Sequence, residues 1–139
     1  MKIVVIDGQG GKMGKALIEQ LRSELEGSAA ELYAIGTNGN ATAAMMKAGA
    51  DYGATGENPV IVACRDADVI VGPIGIVVAD SFLGELTPAM AVAVGQSQAI
   101  KVLLPMNRCH SQVVGVRELP MNEMVKMAAA QIRSYAASL

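Results

Sequence analysis

Ile3-Val4-Val5-Ile6-Asp7-Gly8-Gln9-Gly10-Gly11-Lys12-Met13-Gly14, residues 3–14, decides the fold. Its first four residues are apolar and β-branched, the pattern of a parallel strand buried on both faces. A glycine-rich turn follows. Beyond it Met13, Ala16, Leu17, Leu21 and Leu25 recur at helical spacing, with charges on the opposite face. Strand, glycine loop and helix in that order open an α/β fold.

Working outward, Leu32-Tyr33-Ala34-Ile35 reads as a second strand that ends in Gly36-Thr37-Asn38-Gly39-Asn40, a turn suited to capping a helix from about Thr42 to Ala48-Gly49. A short third strand is expected around Ala50–Ala54, ahead of the turn Gly53–Glu57 and the helix-start pair Asn58-Pro59. Val60–Cys64 fits strand or helix by periodicity, and its flanks favour a short helix. Val69-Ile70-Val71 is the fourth strand, followed by the loop Gly72-Pro73-Ile74-Gly75. Thr87-Pro88 caps a helix to about Ser97, and Ile100–Leu104 is the fifth strand. After Pro105–His110 a last strand, Gln112–Val116, precedes a helix whose face is Met121, Met124, Val125, Ala128 and Ile132. Alternation of this kind predicts a single doubly wound, mostly parallel sheet with Rossmann-like topology over residues 1–139, in the strand order 3-2-1-4-5. Ligands of such sheets bind beyond the carboxyl ends of the strands, where the order reverses. Three loops meet there: Asp7–Gly14, Gly72–Gly75 and Pro105–His110.

Composition narrows the partners. With 139 residues, 52% hydrophobic and 17% charged, the chain is long and apolar enough for one packed core. Its apolar runs are short and broken by Gly, Asp, Asn and Pro, which excludes a membrane span of the usual length. A net charge of -2 and 3% aromatic residues provide neither the basic stripe nor the stacking platforms of a nucleic-acid binder. Cys64 and Cys109 stand alone, so no zinc or disulfide framework is expected, and the reading is cytoplasmic. Low charge and high apolar content favour a homo-oligomer, with a two-fold dimer the commonest form.

Glycines in the first loop let backbone approach a ligand, and the following helix presents unpaired N–H groups at its positive end. Lys12 and Lys15 oppose the helix dipole there, a placement that a bound phosphate would compensate. The expected ligand-contacting residues are Asp7, Gly8, Gln9, Gly10, Gly11, Lys12, Met13 and Gly14, with Thr37 and Asn38 after strand two. Gly72, Pro73, Ile74 and Gly75 are expected from the second loop, and Asn107 and Arg108 from the third. Asp7 would repel a phosphate. It would therefore share a magnesium ion with it, bond a ribose hydroxyl, or hold the turn through backbone N–H groups. Where an acid usually binds a cofactor ribose, this chain has Gly36-Thr37-Asn38, which weakens NAD(P) as the cofactor without removing it. His110 is the one acid/base candidate, and it has no visible partner.

Gly8-Gln9-Gly10-Gly11-Lys12-Met13-Gly14-Lys15 resembles the nucleotide loop of the dihydrodipicolinate reductase family, which implies NADH or NADPH on a Rossmann domain. Over nearly the full length, the chain more closely resembles the bacterial family called domain of unknown function 3842. That likeness is carried by Val5–Gly11, Gly36-Thr37-Asn38, Lys47–Ala50, Gly53–Asn58, Gly72–Ile76 and Gly84–Pro88. It implies a Rossmann-like fold and no particular activity.

Three functions follow from these readings. The first is a small module that binds a nucleotide or another phosphorylated metabolite at Gly8–Gly14. The second is an NAD(P)-dependent, reductase-like enzyme with Asp7, Asn107, Arg108 or His110 at its centre. The third is a ligand-free oligomeric interaction protein that uses the Ala89–Val94 helix or the Met-rich final helix.

Overall fold

The computed structural model describes residues 1–106 and 110–139, so Asn107, Arg108 and Cys109 lie outside the described residues. The strands are β1 (Lys2–Asp7), β2 (Glu31–Gly36), β3 (Tyr52–Thr55), β4 (Val69–Pro73) and β5 (Ile100–Leu104). The helices are α1 (Lys12–Glu24), α2 (Gly39–Lys47), α3 (Glu57–Cys64), α4 (Pro88–Gln96) and α5 (Met121–Ala137). All strand pairs are parallel, in the order β3-β2-β1-β4-β5. The fold is the doubly wound α/β arrangement expected from the alternation of elements.

Period-two alternation divides β1 between two cores. Ile3 and Val5 pack with Leu17, Ile18 and Leu21 of α1 and with Met124, Ala128 and Ile132 of α5. Val4 and Ile6 face Val60 and Cys64 of α3, Met90 and Val94 of α4, and Ile76, Phe82 and Leu86. Burial on both faces explains why β1 reads as an unbroken apolar run.

Two expectations are corrected. Gln112–Val116 is no strand: Val114 is 99% exposed and Gly115 is left-handed at φ 85°. Among the described residues no strand lies beyond β5, which is thus an edge strand. Gly72 and Pro73 belong to β4 rather than to a loop, and a 3-10 turn, Ile74–Val77, follows. β4 pairs with β1 only over Val69–Val71, so the N–H that Pro73 lacks costs the β1 ladder nothing. Val60–Cys64 is helical, as its flanks suggest.

Thr87 caps α4. Its Oγ1 accepts the Met90 N–H at 3.2 Å, and its hydroxyl donates to Glu57 at 2.6 Å, which ties α4 to α3. Thr87→Ala is expected to cost about 1 kcal/mol, read as a lower urea midpoint with an unchanged slope.

Candidate functional site

The β1–α1 turn lies where the strand order reverses, with β2 on one side of β1 and β4 on the other. Gly11 ends the loop at φ 74°, and its N–H donates to the Gly8 carbonyl at 3.0 Å. Alanine there would add strain and bring its Cβ to 2.8 Å from the Ala41 Cα of α2. Gly14 serves close packing: a Cβ would meet the Met45 sulfur at 2.5 Å and the Asp7 Cβ at 2.9 Å.

Gly11 precedes α1 without a side-chain cap, and Asp7 supplies the missing acceptor from the strand end. Asp7 Oδ1 accepts the Gly8 N–H at 2.8 Å, and Oδ2 accepts the Gly14 N–H at 2.7 Å. The side chain thus holds the turn, one of the three roles open to it in sequence. Burial pushes the Asp7 carboxyl above its ordinary range, against the opposing pull of the Gly14, Gly8 and Met13 amides and with a further push from the Glu85 charge. Asp7 leaves the loop's other donors alone: among the described residues the Gly10 and Lys12 N–H groups have no protein acceptor.

At the end of β2, Asn38 Oδ1 caps α2 by accepting the Ala41 N–H at 2.9 Å. Its amide donates to the Gln9 carbonyl and to Glu85 Oε1, both at 2.9 Å. The same Glu85 oxygen accepts the Thr37 hydroxyl at 2.6 Å and the Gln9 N–H at 3.0 Å. Burial works to raise the Glu85 pKa, but the bonds from Thr37, Gln9 and Asn38 prevail and hold it below the ordinary range. Sequence reasoning placed Met121 only on the face of the last helix, although it too lines the site; Glu85 and Phe82 are the other residues that it missed. Both come from the stretch between the 3-10 turn and α4, more than 70 positions from Gly8, and no local pattern marks them.

A cavity of about 320 Å³ opens over the loop, lined by residues 7–13 with Phe82, Met106 and Met121. Lys12 is exposed at its rim. None of Gly72–Gly75 lines this cavity; Gly75 packs near a lining residue, since an added Cβ there would stand 3.1 Å from the Phe82 ring. His110 is exposed, in left-handed backbone at φ 64°, and lines a different cavity of about 690 Å³ with Met106, Ser111, Gln112 and Glu118. Met106 borders both cavities. Cys64 is buried against β1 and β4, and burial raises its thiol to about 11, which leaves it protonated and inert near neutrality. Among the described residues no cluster of three metal-ligating side chains occurs, and no helix is long and apolar enough to cross a membrane.

The family described as "Domain of unknown function (DUF3842)" matches residues 2–137. No curated protein matches. Among solved structures, a dodecameric FMN-dependent UbiX-like decarboxylase from Escherichia coli O157:H7 is similar at 17% identity and a TM-score of 0.47, over 99% of this chain and 94% of that one.

Proposed function

This chain belongs to the family described as domain of unknown function DUF3842, and from its loop geometry we propose that it binds a small phosphorylated ligand, a nucleotide foremost, at the β1–α1 turn. The observation that carries this reading is the cavity of about 320 Å³, whose floor is glycine-loop backbone and whose walls are Phe82, Met106 and Met121. Its size lies at the lower end of small-molecule sites. The unpaired Gly10 and Lys12 N–H groups and the Lys12 ammonium suit phosphate oxygens. An aromatic ring and two adaptable thioethers suit a flat base. Asp7 neutralises part of the helix dipole by accepting its amides, so the phosphate would depend on Lys12 more than on the helix end.

The test is a thermal-shift panel of adenine and guanine nucleotides, NAD(H) and NADP(H), with and without magnesium. A ligand at about 100 times its dissociation constant adds roughly 2.7 kcal/mol, a shift of several degrees. A flat panel on protein free of bound nucleotide overturns the proposal. Lys12→Ala is expected to weaken the best ligand on the order of five-fold in a titration, with unchanged melting of the free protein. Equal affinity would remove Lys12 from the site.

A further inference from the structure

We infer that Gln9 N–H, the Thr37 hydroxyl and the Asn38 amide form an oxyanion pocket for a phosphate group of the ligand, and that Glu85 occupies this pocket as an internal stand-in. The inference rests on the nucleotide reading of the glycine loop and names where one phosphate goes.

Three donors converge on a single oxygen, Glu85 Oε1, at 2.6, 2.9 and 3.0 Å. They come from two loops at the ends of β1 and β2, the place where ligands of doubly wound sheets bind. The missing Cβ of Gly8 makes the room: an added carbon would stand 2.5 Å from Thr37 Oγ1 and 3.1 Å from Glu85 Oε1. A phosphate oxygen asks for the same donors as a carboxylate oxygen. Glu85 Oε2 has no partner among the described residues, so the carboxylate uses one oxygen where a phosphate could engage more.

The segment that delivers Glu85 is held in costly backbone. Asp80, Phe82 and Leu83 are non-glycine residues at φ 69°, 59° and 56°, and Gly84 follows at 90°. Phe82 is buried over Gly8 and Gly75, whereas Leu83 is 98% exposed at the tip. Backbone bonds from the Asp80 N–H to the Leu86 carbonyl and from the Leu86 N–H to the Ser81 carbonyl close the strap on itself, and it meets the glycine loop through one aromatic ring and one carboxylate. Exchange of Glu85 for a ligand phosphate swaps one anion for another beside Asp7, where simple addition would stack a third negative group.

Calorimetric titration of the full chain with ADP, and separately with inorganic phosphate, tests this. Taking the charge off the internal competitor weakens its hold on the three donors and raises the fraction of protein with an open pocket, so Glu85→Gln is expected to bind both probes roughly ten-fold more tightly than wild type. Thr37→Val is expected to weaken both. Wild-type binding that Glu85→Gln leaves unchanged or weakens overturns the pocket and spares the glycine-loop reading. Absence of binding in every form overturns both. Hydrogen exchange on the wild-type protein gives a readout that needs no variant: saturating ADP should slow exchange at residues 8–14 and speed it at residues 82–86. Slowing at both segments would show Glu85 kept in place by the ligand and would also overturn the inference.

Discussion

Gly72→Ala is expected to destabilise the protein by about 3 kcal/mol or more, which lowers the melting temperature by roughly 10 °C. Gly72 is buried in β4, and an added Cβ collides with the Ile6 carbonyl oxygen of β1 and stands 3.3 Å from the Ile76 Cδ1. A flexible side chain could swing away from such a contact. Ile6 cannot yield, because its backbone belongs to the central strand and is registered against Ile35 of β2. The collision must instead part β1 from β4, the pair that joins the two halves of the sheet. Gly10→Ala is the control, since a Cβ there meets nothing within 4 Å, and its effect should stay within about 0.5 kcal/mol. Equal thermal melts for the two variants would contradict this account of the β1–β4 contact.

Removal of the Asp7 carboxyl is the second large effect. Asp7→Ala leaves the Gly8 and Gly14 N–H groups without their acceptor, at about 1–3 kcal/mol for each buried donor, and the relief of burying a charge returns only part of that. A loss of about 2–4 kcal/mol by urea melt is expected. The pH dependence has a definite sign. Burial raises the folded-state pKa of Asp7 above that of the unfolded chain, so in the interval between the two values the folded state holds more of the proton. Stability attributable to Asp7 therefore falls as pH rises from the ordinary carboxylate value through the raised one, and is level above it. Asp51, which accepts the Leu32 N–H and pairs with Arg22, sits below its ordinary range, as does Asp66 beside Lys2. These two carboxylates, together with Glu85, bend the whole-protein curve the other way. The measurement is thus the difference between wild type and Asp7→Asn, taken at each pH, which cancels them. A difference that grows with pH across this interval would mean that the amide bonds outweigh burial.

What could be read from the sequence was what local chemistry determines. The β-branched run of β1, the capping residues Asn38 and Thr87, and the helical face of α5 each carry their own signal, and chain order with right-handed crossovers then yields the sheet. Gln112–Val116 has the composition of a strand but finds no ladder partner, and composition cannot reveal that absence. Pro73 reads as a loop residue because the sequence does not show that β4 is paired with β1 only over Val69–Val71. The glycine loop was legible as backbone. Its occupants were not: Glu85 arrives from a segment whose left-handed residues, Phe82 and Leu83, have no preference for that conformation. For Asp7, turn, metal and ribose roles demand the same residue type at the same strand end, so its bonds to Gly8 and Gly14 could not be singled out in the sequence.

The central place of β1 also bears on how the chain is made. Its partner β2 begins at Glu31, but its other partner β4 begins only at Val69. At translation rates of about 5–20 residues per second, the β4-facing edge of Ile3-Val4-Val5 waits for several seconds after β1 itself has been synthesised. The central strand is thus made well before the partner that closes it, and throughout that wait its bare edge is available to another nascent copy or to a chaperone.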